Sequence, residues 1–327
     1  MKSGARQEKK SHTSDTNVEK AKVHVTELSL HRSFRYTFIQ IMDVVARRIK
    51  LRFPPKHVRE SMRSHAIARL RKKANATAFV EGFTVHLGEN NSSEFLADGT
   101  WEPSMVRVLK REIRRGDVVL DVGAHIGYYT LIAAKLVGRE GHVFAFEPDS
   151  SNFSLLTKNI QANHLKNVTL IQKAVSNRTG KIKLHLSEKD SLFHSVVYEE
   201  VGKQTIEVDT VCLDDYFRNC ERKVNFIKMD IEGAEPLAIE GMRTLLEKSD
   251  NLKIVMEFNP FALRRAGIVP ESHLESMLSY GFTLRMLSRA KPLTIPKLMQ
   301  NMDIYYARVG DNVCTLFFDR KRKQPAR

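Results

Sequence analysis

Residues 117–138 read "DVVLDVGAHIGYYTLIAAKLVG", and this stretch decides the fold class. Its first part, 117–124, is a short apolar run rich in valine, which is typical of a strand buried in a sheet. The following part, 126–138, has helical periodicity and ends at Gly138, a residue type that often terminates helices. A buried strand that turns directly into a helix is the repeating unit of α/β proteins.

The same alternation continues along the chain. Further strands are predicted at "HVFAFEP" (142–148), "NVTLIQKAV" (167–175), "VNFIKMDI" (224–231), "LKIVMEF" (252–258), "FTLRMLS" and "NVCTLFFDR" (312–320), with "KIKLHLSE" and "TIEVDTVCL" as extra strands. Further helices are predicted at "SNFSLLTKNIQANHL" (151–165), "PLAIEGMRTLLEKS" (236–249) and "ESHLESMLSYG" (271–281). This pattern predicts an α/β fold with a doubly wound, mainly parallel sheet covered by helices on both faces.

The net charge of +15 is concentrated at the two ends of the chain. Residues 1–75 hold 19 basic against 6 acidic residues and residues 316–327 hold 5 against 1, whereas residues 76–315 hold 29 against 31. Basic tails indicate contact with an acidic surface, such as anionic lipid or nucleic acid, or an aid to solubility. Since the body is nearly neutral, a nucleic-acid groove in the main domain is not predicted.

Residues 1–78 are predicted to form an extension of the main domain, 79–320. Residues 1–22 are polar and aperiodic, so a disordered basic tail is expected there, and residues 321–327 form a second basic tail. Residues 23–78 combine helical periodicity with many arginines. Two interpretations of this helical extension stay open: a cap on the main domain, or a peripheral anchor for an anionic membrane or a partner.

The sequence carries no signal of secretion or membrane insertion. The N-terminus lacks an apolar segment after its basic residues, and no window approaches the roughly 18 apolar residues of a membrane span. Cys212, Cys220 and Cys314 form no metal or redox spacing. An odd number of cysteines without a CxxC pair predicts a reduced, cytoplasmic protein.

The turn after the first strand is a candidate ligand site, because doubly wound sheets bind ligands beyond the carboxyl ends of their strands. Gly123 and Gly127 permit a tight turn and a close backbone approach to a ligand. Their G-x-x-x-G spacing differs from the pyrophosphate-binding G-x-G-x-x-G motif. Asp121, just before the turn, suits an ammonium group better than a phosphate. Packing of the helix on the strand is the alternative role of these glycines.

Glu147 ends the second strand, about 20 residues past the first turn. An acid at this place can accept hydrogen bonds from both hydroxyls of a ribose. The alternative is a helix N-terminal charge beside Asp149 and Ser150. An acceptor for an ammonium group together with an acceptor for a ribose indicates a nucleoside with an amino-acid-like tail. That description fits S-adenosylmethionine (SAM) rather than NAD or ATP.

Five segments in this order resemble the FkbM family of SAM-dependent methyltransferases. They are "VVLDVGAHIGYYT", "FAFEP", "KAVSN", "TVCLDDYF" and "IKMDIEGAE", and the resemblance covers about residues 80–285. It implies the seven-stranded class I methyltransferase fold and O-methylation of a hydroxyl. His125 departs from the asparagine that the family commonly has, so its backbone is expected to matter more than its side chain.

The resemblance also implies which residues contact the cofactor. They are Glu102, Asp121, Gly123, Ala124, His125, Gly127, Glu147, Pro148, Lys173, Ala174, Val175 and Asp230. The glycine turn would hold the methionine end, Glu147 the ribose, and Lys173 to Val175 the adenine. Trp101 and Glu102 would close over the cofactor, although packing is the alternative role of this single tryptophan.

Three acids near the ends of the fourth and fifth strands are the candidate catalytic residues. A hydroxyl is a poor nucleophile until its proton is removed or its oxygen binds a metal, and Asp230 is the first candidate for either role. Glu232 and Glu257 would complete a carboxylate cluster, whereas Glu235 is expected to cap a helix. No histidine or further carboxylate pair fixes a coordination geometry, so a divalent metal stays an alternative and is not the main prediction.

The predicted acceptor is a hydroxyl of a sugar, a lipid or a small metabolite. The fourth strand ends in "DIEGAE", not in the "NPPY" or "DPPY" signature of enzymes that methylate base amines. Two alternatives stay open: a ribose methyltransferase of RNA that uses the basic tails, and a non-catalytic SAM-binding scaffold. No motif specifies the acceptor, because acceptor-binding loops vary independently of the fold.

Overall fold

The computed structural model describes residues 77–87, 101–186, 195–197, 204–287, 291–309 and 313–320. The predicted tails, 1–22 and 321–327, and nearly all of the predicted helical extension, 23–78, lie outside these ranges. The last two residues of that extension are not helical, because they begin a strand, Thr77–Val80. Within the described ranges, no helix is long and apolar enough to cross a membrane.

Twelve strands and nine helices lie in the described ranges. The strands are β1 (Thr77–Val80), β2 (Phe83–His86), β3 (Val118–Val122), β4 (His142–Phe146), β5 (Val168–Ile171), β6 (Ala174–Val175), β7 (Gly180–His185), β8 (Thr205–Val211), β9 (Phe226–Met229), β10 (Lys253–Phe258), β11 (Phe282–Met286) and β12 (Cys314–Arg320). The helices are α1 (Pro103–Glu112), α2 (Tyr128–Val137), α3 (Ser150–Ala162), α4 (Leu213–Tyr216), α5 (Glu235–Glu240), α6 (Arg243–Lys248), α7 (Pro260–Arg265), α8 (Pro270–Ser279) and α9 (Ile295–Val309).

The central sheet has seven strands in the order β11-β12-β10-β9-β3-β4-β5. Only β12 runs antiparallel to its neighbours, β10 and β11. The predicted doubly wound, mainly parallel, seven-stranded sheet is therefore confirmed. The chain leaves β3 toward β4 and β5 on one side and later returns on the other side as β9 and β10, so the order reverses between β3 and β9.

Strand register brings the candidate residues to one edge of this sheet. Val122 is paired with Phe146 on β4 and with Met229 on β9. Gly123, Glu147 and Asp230 each follow directly after one of these paired residues. Ligands bind at such a reversal point in open α/β sheets.

The core is apolar on both faces of the sheet, as the valine-rich strands predict. Val119 on β3 packs with α1, α2 and α3 on one face, whereas its neighbours Val118 and Leu120 pack on the other with α5, α6 and α8. The β1–β2 hairpin packs through Val80 and Val85 into the same part of the core as Val119.

Two predicted elements are divided in the structure. The strand predicted over 167–175 separates into β5, in the central sheet, and β6, which joins β7 and β8 in a smaller sheet of order β6-β8-β7. The helix predicted over 236–249 breaks between α5 and α6 at Gly241. A Cβ at Gly241 would lie 2.1 Å from the carbonyl oxygen of Ser176, so a distant segment requires a glycine there.

Candidate active site

A cleft opens at the carboxyl ends of β3, β4 and β9, with about 900 Å³ of empty space counted to its mouth. The predicted residues that line it are Gly123, Ala124, His125, Glu147, Pro148, Lys173, Ala174, Val175, Asp230 and Glu232. Four other predicted residues do not line the cleft: Glu102, Asp121, Gly127 and Glu257.

The carboxylate of Glu147 is held rigidly at the cleft. One oxygen accepts the backbone N–H of His125 at 2.8 Å and the other accepts that of Asp149 at 3.0 Å. Burial raises the pKa of Glu147 to about 7. The side chain of Asn152 also hydrogen-bonds this carboxylate. A carboxylate has about four lone-pair sites, so one remains for a hydroxyl group of a ligand. His125 contributes its backbone to this arrangement, as the sequence predicts.

The two glycines of the turn serve packing. At Gly123 the backbone φ is 77°, and a Cβ would lie 2.0 Å from the carbonyl oxygen of Asp230. At Gly127 a Cβ would lie 2.5 Å from the side chain of Leu156 on α3. Gly127 itself does not line the cleft. The packing alternative therefore describes Gly127, whereas Gly123 both lines the cleft and lets the ends of β3 and β9 approach each other.

Lys228 lies at the centre of the site, although the sequence analysis missed it. Its side chain is 4% exposed, and its ammonium donates to the carbonyl oxygen of Gly123 at 2.7 Å. It also lies 3.5 Å from Asp121 and 3.8 Å from Asp230. Burial alone would lower the pKa of Lys228, but these two carboxylates raise it overall, so the side chain stays a cation. A lysine inside the otherwise apolar strand "FIKM" was the signal that could have found it.

Asp121 faces Lys228 from behind the cleft wall. Its second carboxylate oxygen accepts the hydroxyl of Thr130 at 2.5 Å, and the residue is buried. The ammonium that this acid accepts in the structure is thus supplied by Lys228 of the same chain. Direct contact between Asp121 and a cofactor stays a prediction.

Glu102 and Trp101 reach the cleft through the two tyrosines that begin α2. The hydroxyl of Tyr129 donates to the carboxylate of Glu102 at 2.5 Å, and the Tyr129 ring lies 5.4 Å from the Lys228 ammonium. The backbone N–H of Trp101 donates to the hydroxyl of Tyr128 at 3.2 Å. Trp101 both lines the cleft and packs against the core, so the geometry accommodates both of its predicted roles.

Asp230, Glu232 and Glu257 each place a carboxylate oxygen within 4.8 Å of the others. The parallel register explains why two of these acids are close. Met229 is paired with Met256, and Asp230 and Glu257 are the residues that directly follow them. Burial and the neighbouring carboxylate of Asp230 raise the pKa of Glu232 to about 9 and raise that of Glu257 well above its ordinary value. The three predicted catalytic residues therefore form one cluster at the cleft.

Glu235 does not join this cluster as a ligand. Its carboxylate accepts the backbone N–H of Ile231 at 3.0 Å, in the loop that precedes α5. Burial raises the pKa of Glu235 to about 7. This bond goes to an amide that lies before the helix, so it differs from the predicted capping of the first helical turn.

Comparison with known proteins identifies the fold and its chemistry. Residues 121–284, half of the chain, match the methyltransferase FkbM domain, and residues 64–176 match the protein-L-isoaspartate(D-aspartate) O-methyltransferases. The chain is 26% identical over 235 residues to the hexuronic acid methyltransferase AglP of Haloferax volcanii, which covers 71% of this chain and 87% of AglP. It is 40% identical over 60 residues to protein-L-isoaspartate O-methyltransferase of Ignicoccus hospitalis, which covers 18% of this chain and 28% of that protein. The crystal structure of M. jannaschii TYW2 in complex with AdoMet superposes with a TM-score of 0.37 at 15% identity, over 76% of this chain and 85% of that one.

Proposed function

The chain belongs to the FkbM methyltransferase family, and we propose that it transfers a methyl group from SAM to a hydroxyl of a sugar. The observation that carries the proposal is the position of Asp230, a carboxylate at the cleft directly beside the glycine turn. The similarity to a protein named as a hexuronic acid methyltransferase, over 87% of that protein, supports a sugar as the acceptor.

The residues of the cleft fit SAM. Glu147 presents a fixed carboxylate to the ribose hydroxyls, because backbone amides already hold both of its oxygens. Lys173, Ala174 and Val175 lie beyond it, where an adenine would continue the nucleoside. Gly123 and Ala124 also line the cleft, and the backbone of their turn would hold the methionine end. When bound, SAM supplies a methyl group on a positively charged sulfur, which a hydroxyl oxygen can attack.

Asp230 is the residue that would accept the proton of the acceptor hydroxyl. Its side chain is 34% exposed at the cleft, so an acceptor can reach it, and Lys228 fixes it from behind at 3.8 Å. General-base assistance of this kind contributes about 10²–10⁴-fold to a rate. Lys228 cannot take this role, because its neighbouring carboxylates keep it protonated.

The proposal is tested by isothermal titration with SAM, followed by a methyl-transfer screen on hexuronic acids and their glycosides. We expect SAM binding and a methylated sugar. Absence of SAM binding would overturn the cofactor assignment. Transfer to RNA ribose with a steep loss of RNA binding at rising salt would replace the sugar by the nucleic-acid alternative.

A further inference from the structure

We propose that Asp230, Glu232 and Glu257 together bind one divalent cation, of the Mg²⁺ or Mn²⁺ type, at the acceptor side of the cleft. The three carboxylate oxygens lie within 4.8 Å of one another. Oxygens that share a hard cation at about 2.0–2.5 Å can lie up to about 5 Å apart. The sequence offered no fixed coordination geometry for these acids, and the fold supplies one by joining residues of two neighbouring strand ends.

The environment of Glu232 gives a second reason to expect a bound cation. The residue is only 8% exposed and lines the cleft. Among the described residues, no hydrogen-bond donor contacts its carboxylate, whereas its backbone carbonyl accepts the hydroxyl of Ser195 at 2.8 Å. A buried carboxylate without a partner is costly, and it is retained in proteins where a cation or a proton balances it.

The ion pairs of the described residues leave this cluster able to take up a cation. Lys228 is the one cation of the described residues that forms an ion pair with the cluster, and its contacts go to Gly123, Asp121 and Asp230. Neither Glu232 nor Glu257 forms an ion pair within the described part of the chain. Three carboxylates this close cannot all be ionised unless a positive charge lies between them, and either bound protons or one cation can supply that charge.

The donor set selects the kind of ion. All three donors are carboxylate oxygens, and such hard ligands suit Mg²⁺, Mn²⁺ or Ca²⁺ better than Zn²⁺. Three protein ligands leave coordination positions for water and for a hydroxyl oxygen of the acceptor.

The role of the ion, unlike its binding, rests on the proposed function. A cation held by the three acids would make the acceptor hydroxyl more acidic, and a carboxylate of the cluster would take its proton. The acceptor oxygen then forms a bond to the methyl carbon of SAM, while the bond between that carbon and sulfur breaks and its electron pair stays on sulfur. The products are a methyl ether, the demethylated cofactor and a proton that passes to solvent.

Manganese binding to the full chain tests the site. The protein is freed of metal with EDTA, dialysed and titrated with MnCl₂, and free Mn²⁺ is followed by its EPR signal. We expect one Mn²⁺ per chain, displaced by Mg²⁺, with an affinity at least about tenfold weaker in Glu232→Gln and in Glu257→Gln. Glu247→Gln, exposed on α6, is the matched control and should bind Mn²⁺ like the wild type.

Titration of the same samples with SAM separates the two proposals. Binding of SAM without binding of Mn²⁺, or unchanged Mn²⁺ affinity in both variants, overturns the cation site and leaves the proposed function standing. Binding of Mn²⁺ that the variants weaken, without methyl transfer to any hydroxylated acceptor, supports the site and overturns the proposed function. If a glutamine variant fails to fold, the partly exposed Asp230→Asn replaces it under the same criterion.

Discussion

The ammonium of Lys228 lies 2.7 Å from the carbonyl oxygen of Gly123, so a buried cation on β9 ties this strand to the turn after β3. The same ammonium faces Asp121 and Asp230, which come from the two strands on either side of the reversal point. Lys228 thus positions the walls of the cleft relative to each other.

Replacing Lys228 by methionine is expected to destabilise the protein. The change leaves Asp121 buried without a counter-ion, and removal of one partner of a buried ion pair costs about 3–5 kcal/mol. Urea denaturation followed by circular dichroism measures the loss. Lys181→Met, at an exposed pair with Glu207, is the control and should leave the urea midpoint unchanged. Equal midpoints for Lys228→Met and the wild type would contradict this role.

Ionisation of Glu147 is expected to lower stability as the pH rises. Its pKa is about 7 in the folded protein and 4.5 ordinarily, so the folded state holds the proton over this interval while the unfolded state has lost it. The stabilisation is complete below pH 4.5 and is lost as the pH rises through about 7, by ~3 kcal/mol for a shift of this size.

The measurement compares the unfolding free energies of the wild type and Glu147→Gln between pH 4.5 and 8. The wild type should lose stability relative to the variant across this interval. A constant difference at all pH values would show that Glu147 has its ordinary pKa. Affinity for SAM should change in the opposite direction, because the ionised carboxylate is the better acceptor for ribose hydroxyls.

Asp230→Asn is expected to lower kcat by about 10²–10⁴-fold and to change SAM affinity by no more than about threefold. The amide keeps the shape of the side chain but does not accept the proton of the acceptor. Single-turnover methyl transfer and calorimetry measure the two quantities. Asp209→Asn, on an exposed position of β8, should retain full turnover. A rate near the wild-type value in Asp230→Asn would remove the residue from the chemistry.

The seven-stranded sheet was predictable because its strands are apolar on both faces and are separated by helical segments. Glu147 and Asp230 could be placed at the cleft for the same reason, since both directly follow strands of one parallel sheet. The position of Glu257 after the next strand allowed its place in the carboxylate cluster to be predicted, but only the register between β9 and β10 fixes its distance to Asp230. Local sequence contains neither this register nor the close approach of Gly241 to Ser176, 65 residues away, at the break of the predicted helix.

Gly123→Ala should disturb the site much more than an otherwise similar glycine substitution. The backbone φ is 77° at Gly123 and 75° at Gly267, so alanine carries the same left-handed strain of about 1–2 kcal/mol at both. They differ in space: a Cβ would lie 2.0 Å from the carbonyl oxygen of Asp230 at the first position and would contact nothing within 4 Å at the second.

The crowded Cβ must push the ends of β3 and β9 apart, which moves Asp230 away from the turn and breaks the Lys228 contact with the Gly123 carbonyl. We therefore expect Gly123→Ala to unfold at clearly lower urea than Gly267→Ala and to lose methyl transfer as well as SAM affinity. Gly267→Ala should lose only the stability that the backbone strain costs and should retain full turnover. If the two variants had equal stability and equal activity, the close approach of the two strand ends would not govern the site, because strain alone would then account for both.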